Sequence, residues 1–342
     1  MPLLDVNNLE VTFELRTGAV TALRDVSFSL NRGERIGIVG ESGAGKSVAA
    51  FSILNLISKP GKISGGEILF DGKDLSKLPN KALRSIRGNQ ISMIFQDPMM
   101  TLNPVLTVGE QMIECLLAHS KMTKDEAKSI ALEKLNLVQI PSPEKRLNQY
   151  PHELSGGMKQ RIIIAIALLL SPEIIIADEP TTALDVTIQA EIMDLLKALC
   201  ESQNLALILI THDLGVVSQV TERTIVMYAG RVVEMGPTKE IINDAQHPYT
   251  QGLINALPQQ ASPGGRLNQI PGNMPSLESI PAGCAFSPRC SYATQRCQTE
   301  LPAYSQSGGC SVACHLIDEL NTAAFNDKKE PAEIEGETPN EQ

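Results

Sequence analysis

No stretch of this chain stays apolar for long enough to cross a bilayer. The longest, 162–170, is stopped by Ser171-Pro172-Glu173, well short of the roughly 20 residues that a spanning helix needs. The amino terminus, Met1-Pro2-Leu3-Leu4-Asp5, has neither a basic region nor a long apolar one. No signal peptide is therefore visible, and the chain is expected to stay in the cytoplasm. Basic residues are not in excess either. The formal net charge is −10, which argues against broad nucleic-acid binding, because phosphate backbones are drawn to basic surfaces. The seven cysteines include no Cys-x-x-Cys pair, and no internal repeat is evident. What is present suffices for a folded protein: 342 residues with 42% hydrophobic content can bury a sizeable core in one large domain plus accessory pieces.

Short β-branched or apolar runs at 9–15, 22–30, 67–70 and 90–96, bounded by Gly, Asn and Asp, predict strands. The texture then changes: 107–120 and 124–137 place apolar residues at helical spacing with Glu and Lys between them, which predicts an inserted helical subdomain. Beyond it, 173–177 and 205–210 are nearly all apolar and flank a helix-like 186–199. Fully apolar strands alternating with helices indicate a parallel sheet buried on both faces. Two short strands at 224–228 and 231–234 are expected to finish the core. From 317 apolar periodicity is lost and the chain becomes Glu-, Asn- and Pro-rich, as a solvated, disordered acidic tail would be.

Gly40-Glu41-Ser42-Gly43-Ala44-Gly45-Lys46-Ser47 lies between the apolar run 34–39 and a helix-like 48–54. Strand, glycine-rich loop and helix in that order are the context that a phosphate-binding loop requires. The glycines let backbone N–H groups turn inward around phosphate oxygens, Lys46 can meet the β- and γ-phosphates, and the Ser47 hydroxyl can ligate Mg²⁺. A second element of phosphoryl chemistry follows in Ile174-Ile175-Ile176-Ala177-Asp178-Glu179, an apolar strand ending in two carboxylates. Asp178 can hold the Mg²⁺ shell while Glu179 orients and deprotonates a water. Leu154-Ser155-Gly156-Gly157-Met158-Lys159-Gln160-Arg161 opens another apolar helix, and Ser-Gly-Gly at a helix start is a second anion site.

At this point the sequence resembles the ABC-transporter ATPases, whose signature motif this is, over about residues 3–236. The resemblance continues with Gln96 as the Q-loop residue, Ala183-Leu184-Asp185 as the D-loop and His212 as the switch histidine. It implies an α/β, P-loop (RecA-like) core with an inserted helical subdomain and a C-terminal cysteine-rich extension. By the same resemblance two such ATPases pair head to tail, and each ATP lies between 40–47 of one and Ser155, Gly156 and Gly157 of the other. Gln96 would touch Mg²⁺ or the attacking water and report to the transmembrane partner, His212 would contact the γ-phosphate, and Asp185 would link the two sites. Phe13 is the candidate for stacking on adenine. Met158 stands where the common signature has Gln; the phosphate contacts come from the serine and glycines, so the site is expected to survive, with a partner subunit different from this one. The implied layout is 1–97 and 169–245 for the two parts of the core, 98–168 for the helical signature subdomain, 246–316 for a C-terminal region and 317–342 for the tail.

His247-Pro248-Tyr249-Thr250-Gln251-Gly252-Leu253-Ile254 resembles the segment after the core in oligopeptide/dipeptide permease ATPases. Five cysteines follow it in a Pro/Gly-rich region, whereas Cys115 and Cys200 lie in helix-like stretches and suit buried packing. Clustered thiols in a reducing compartment suit a metal better than disulfides. Four thiolates can take either Zn²⁺ or an iron–sulfur cluster, and residue chemistry alone leaves both open. Cys284-x₅-Cys290-x₆-Cys297 with Cys314-His315 resembles the dipeptide-permease pattern, which implies a [4Fe–4S] cluster on Cys284, Cys290, Cys297 and Cys314 with Cys310 spare. That cluster is expected to be structural and to lie apart from the nucleotide motifs.

The resemblance as a whole implies the ATP-hydrolysing subunit of an importer of dipeptides or oligopeptides. Its partners would be a second ABC ATPase, two transmembrane permease subunits and, indirectly, an extracytoplasmic peptide-binding protein, with the chain peripheral on the cytoplasmic membrane face and binding no nucleic acid. Nickel, glutathione and antimicrobial peptides remain alternative cargoes. A soluble ABC ATPase acting on nucleic acid or ribosomes, and a redox or metal sensor, are readings from other classes.

Overall fold

Five short apolar runs become parallel strands because both of their faces are covered. The computed structural model describes residues 1–97, 101–182, 184–257 and 269–317. In it, β1 (Leu4–Leu15), β2 (Gly18–Leu30), β4 (Gly61–Phe70) and β5 (Lys73–Asp74) make a four-stranded antiparallel sheet in the order β2-β1-β4-β5. The main sheet is eight-stranded. Its parallel part runs β9 (Arg223–Tyr228), β3 (Arg35–Val39), β8 (Ala206–Thr211), β7 (Ile174–Asp178), β6 (Ile91–Ile94).

The two-residue period of a strand sorts these apolar residues into two cores. Ile36, Ile38, Ile174, Ile176, Ile208 and Ile210 face the first sheet and α1 (Lys46–Ile53). Their neighbours Ile175, Ala177, Leu207 and Leu209 face the other way, into a core shared with α2 (Val108–His119), α3 (Lys124–Leu137), α4 (Gly156–Ala167) and α5 (Val186–Gln203). Both α2 and α3 begin at capping boxes, Thr107 with Glu110 and Thr123 with Glu126, which satisfy the free N–H groups of a first helical turn reciprocally. That local chemistry is why the helical insert was legible.

Several strand limits differ from the sequence expectation. β1 starts at Leu4 and β4 at Gly61; their first halves are polar on one face and so lack the apolar run that marks a strand. β6 ends at Ile94, so Gln96 lies two residues beyond it on exposed chain. The strands expected to finish the core do not finish it. β10 (Arg231–Pro237) pairs antiparallel with β12 (Cys310–Val312), and β11 (Ser305–Ser307) completes the edge. The cysteine-bearing segment is therefore built into the main sheet, with its own core of Tyr228, Tyr249, Phe286, Cys310 and Val312. Ile317, the first residue of the expected tail, is buried in that core; the remainder of the tail and Ala183 of the D-loop lie outside the described residues.

Candidate functional site

β3, β7 and β8 end level with one another: Val39 pairs with Thr211 and Asp178 with Ile210. The segments leaving their carboxyl ends, 40–47, Glu179 and His212, accordingly meet in one place. Gly45 caps α1 at φ 99°, a left-handed conformation that favours glycine. At Gly40 a β-carbon would collide with the Met227 carbonyl oxygen. Both constraints hold the loop open toward a cavity of about 480 Å³ lined by Phe13, Ser42, Lys46, Ser47, Gln96 and Glu179.

Within the loop, the Lys46 ammonium donates to the carbonyls of Gly40 (2.8 Å) and Glu41 (3.0 Å). Burial pulls its pKa below the usual lysine value, against the opposing pull of Glu179, Asp178 and Glu41. Ser47 Oγ donates to Asp178 Oδ1 at 3.1 Å. Asp178 is buried, and burial raises its carboxyl pKa although the Ser47 hydrogen bond lowers it. This pair of hard oxygen donors suits Mg²⁺, which prefers one or two carboxylates and substrate phosphates to soft ligands.

Glu179 sits at φ 44°, a strained value for a residue with a side chain, and its N–H is held by the Ile210 carbonyl at 2.8 Å. Its carboxylate receives Gln96 Nε2 at 3.1 Å and Thr182 Oγ1 at 3.1 Å, and faces His212 Nδ1 at 3.3 Å. The three residues read from the sequence as catalytic thus converge on one carboxylate. Phe13 lies within β1, and with Leu15, Val20 and Ala22 it forms the apolar wall of the cavity.

Ser155, Gly156, Gly157 and Asp185 do not join them. Ser155 caps α4, its Oγ accepting from Met158 N–H at 3.4 Å, and Ser155 and Gly156 are exposed. Asp185 is exposed at the start of α5 with no side-chain cap bond. None of the four lines the cavity. Within one chain these four residues stand apart from the phosphate-loop cavity.

Cys284, Cys290, Cys297 and Cys314 line a single cavity of about 10 Å³ with His247, Phe286 and His315, while Cys310 lies away from it, near Glu240. All seven cysteines are free thiols. Burial, then the neighbouring sulfurs, pushes Cys314 up to about 12, and burial also raises Cys284 and Cys290. Among the described residues no three His, Cys, Asp or Glu side chains stand close enough together to hold one metal ion.

The cysteine segment is not apart from the nucleotide motifs, contrary to the sequence expectation. Leu277 lines the phosphate-loop cavity, Tyr249 Oη accepts from Glu41 N–H at 2.8 Å, and Arg289 pairs with the Glu41 carboxylate. These contacts join residues more than two hundred positions apart, and no local pattern signals such a pairing.

Comparison with known proteins shows where these features recur. Residues 23–182 match the ABC transporter family, and 233–297 match the oligopeptide/dipeptide transporter C-terminal region. The chain is 49% identical over 319 residues to the oligopeptide transport ATP-binding protein OppD of Salmonella typhimurium, covering 93% of this chain and 95% of that one. It is 51% identical over 318 residues to the dipeptide transport ATP-binding protein DppD of Bacillus subtilis, covering 92% and 95%. Among solved structures, the ATP-binding cassette MJ0796, a dimer bound to ADP and Pi, superposes with a TM-score of 0.62 at 32% identity over 69% of this chain and 98% of that one.

His247 supplies a pH test of the join. It is buried, its Nδ1 accepts from Tyr249 N–H at 3.0 Å, and burial lowers its pKa from 6.5 to about 3. The folded value lies below the unfolded one, so the unfolded chain binds more protons between those values and stability falls as pH drops through that window. His247→Asn keeps a helix-capping acceptor and removes the titration. Urea midpoints at pH 7 and pH 5 should differ less in that variant than in the parent.

Proposed function

This chain belongs to the oligopeptide/dipeptide branch of the ABC transporter ATPases, and we propose that it binds and hydrolyses ATP to power import of dipeptides or oligopeptides across the cytoplasmic membrane. The observation that carries the reading is the convergence of Lys46, Ser47, Gln96 and Glu179 on one cavity, with Asp178 bonded to Ser47 and His212 facing Glu179. The triphosphate lies along 40–47 with Lys46 at its β- and γ-phosphates, and the adenine rests on the apolar wall at Phe13. Ser47 and Asp178 would hold Mg²⁺, with Gln96 beside them, and the ion would supply positive charge against the charge that develops on the phosphates. Glu179 takes a proton from the attacking water. Gln96 and Thr182 orient its carboxylate, and His212 contacts the γ-phosphate.

The separation of Ser155, Gly156, Gly157 and Asp185 from this cavity supports a dimer in which each nucleotide is enclosed by a second ATPase subunit. Met158 in the signature supports a partner of different sequence. No helix among the described residues is long and apolar enough to cross a membrane; in this reading two transmembrane permease subunits provide the path. A groove of about 420 Å³ between Phe95, Leu102, Leu106, Gln111 and Ile163 adjoins Gln96, and it suits a cytoplasmic loop of a permease subunit. The chain would sit peripherally on the inner membrane face.

For the four cysteines we propose a [4Fe–4S] cluster. The proposal rests on the spacing of Cys284, Cys290, Cys297 and Cys314 and on the one cavity that they line; among the described residues no group is arranged to hold a metal ion as it stands. A cluster spreads its ligands over several irons and supplies an electron-poor centre that lowers thiol pKa values. The cavity of about 10 Å³ is room for roughly one water, so loading must move the cysteine side chains.

Glu179→Gln should keep ATP and trap the closed dimer, with hydrolysis reduced about 10²–10⁴-fold, whereas Lys46→Ala should lose nucleotide binding itself. Bound ATP and released phosphate, measured separately, distinguish the two, and near-normal turnover of Glu179→Gln would sink the base assignment. Cross-links from the described part of the 98–149 insert should map to a permease loop; cross-links only to nucleic acid or ribosomal proteins would contradict the transporter reading. Protein prepared without oxygen should be brown with about four iron and four sulfide per chain, and should lose colour on Ser substitution of Cys284, Cys290, Cys297 or Cys314 but not of Cys310. Stoichiometric zinc without sulfide would reject the cluster.

A further inference from the structure

The second residue of the phosphate loop is gripped from outside the ATPase core. Arg289 stands on a 3₁₀ turn, Ser287–Arg289, and its side chain is only 6% exposed. Its Nη1 and Nη2 donate to the two carboxylate oxygens of Glu41 at 2.8 and 3.1 Å. The remaining donors are also used: Nε meets the Pro271 carbonyl at 2.9 Å, Nη2 the Ile270 carbonyl at 3.3 Å, and Nη1 the Tyr228 hydroxyl at 3.3 Å. Burial lowers the guanidinium pKa, but the hydrogen bonds and charges of Glu41 and Tyr228 outweigh it and hold it above its usual value. A planar guanidinium with every nitrogen engaged is fixed in orientation, and a two-pronged pair with a carboxylate carries that orientation to its partner.

Glu41 passes the grip inward. Its N–H donates to Tyr249 Oη at 2.8 Å, and its carbonyl accepts from Lys46 Nζ at 3.0 Å. The same residue is thus tied to the C-terminal segment by its side chain and its N–H, and to the phosphate-binding lysine by its carbonyl. The rings of Tyr228, Tyr249 and Phe286 pack edge to face or tilted behind the contact, with centroids 4.6 to 5.4 Å apart. Met274 closes the outer side of the loop, since a β-carbon on Gly43 would meet its Cε at 3.0 Å.

We infer that Arg289 and Tyr249 are positioning residues for ATP: they hold 40–47 in its binding shape through Glu41, so that the C-terminal segment sets nucleotide affinity. Two physical effects act in the same direction. A loop already fixed loses less conformational freedom when the nucleotide arrives. Arg289 also neutralises a carboxylate that would otherwise stand unpaired beside an anionic ligand. Neither effect touches the reacting atoms, so the consequence falls on binding rather than on the chemical step. Cys284 and Cys290 flank the turn that carries Arg289, which places the cysteine cavity one residue from the grip.

The inference rests on the ATP reading of the cavity, and the test separates the two. Binding of Mg-ATP is titrated on the purified full-length chain and its Arg289→Ala, Arg289→Lys, Glu41→Gln and Tyr249→Phe variants, and turnover at limiting and saturating ATP is measured on each after assembly with the partner ATPase and permease subunits. Arg289→Ala should weaken ATP binding by about 10-fold, the scale of a lost charged hydrogen-bond pair, with kcat changed far less than KM. Arg289→Lys should recover part of the loss, and Glu41→Gln combined with Arg289→Ala should be no worse than Arg289→Ala alone. Should Arg289→Ala fail to fold, Tyr249→Phe, which keeps the ring packing and the turn, carries the test with a smaller shift in the same direction. Lowered thermal stability with unchanged ATP affinity in folded variants would reduce Arg289 to a structural role and overturn the inference. Failure of the parent chain to bind ATP would instead overturn the reading of the cavity and the inference with it.

Discussion

The site depends on the register of three parallel strands. β3, β8 and β7 are paired so that Val39, Thr211 and Asp178 reach the same edge, and a slip of one residue in any of them would turn its alternating isoleucines into the wrong core and carry its loop out of line. Ile36, Ile38, Ile174, Ile176, Ile208 and Ile210 guard against that slip, because each strand's set is fully buried on one side while its neighbours are buried on the other. Burial energy thereby becomes positional precision at a place where a hydroxyl, two carboxylates, an ammonium and an imidazole must meet within hydrogen-bond reach. The strained backbone of Glu179 survives there because the strand pairing fixes its N–H to Ile210.

The accessory segment extends the same logic. β12 pairs on β10, buried Glu234 accepts the N–H groups of Gln246 at 2.8 Å and His247 at 3.0 Å, and Tyr304 reaches the Val232 carbonyl at 2.9 Å. These bonds seat the segment on the sheet edge, and from that seat Arg289 and Tyr249 reach back to the phosphate loop. The segment that carries the cysteines is thus bonded directly to the phosphate loop at Glu41.

Features with local causes were legible in the sequence. The glycines of 40–47, the apolar run ending at Asp178 and Glu179, and the helical spacing of α2 and α3 are each dictated by residues close in the chain, and the structure places them in the expected elements. Phe13, Gln96 and His212 were legible through motif order; Phe13 and Gln96 line the cavity, and His212 faces Glu179 at its edge. What escaped depends on contacts made across the chain. The polar halves of β1 and β4 are strands only because they pair with each other. Cys310 to Val312, three residues, is a strand only because β10 offers an edge. The Arg289–Glu41 pair spans 248 positions, and neither residue carries a neighbourhood pattern that announces the other. Ser155 and Asp185 stand exposed, as the proposed dimer requires of residues whose site a second subunit completes.

The central claim is that Ser47 and Asp178, bridged at 3.1 Å, hold the metal of a bound nucleotide. Electron paramagnetic resonance of Mn²⁺, substituted for Mg²⁺ and bound with ATP to the full-length protein, tests this most directly. The account predicts phosphorus hyperfine couplings from the β- and γ-phosphates on a protein-bound Mn²⁺, and their loss in Asp178→Asn. Protein-bound Mn²⁺ without phosphorus couplings, or couplings unchanged in Asp178→Asn, would contradict it.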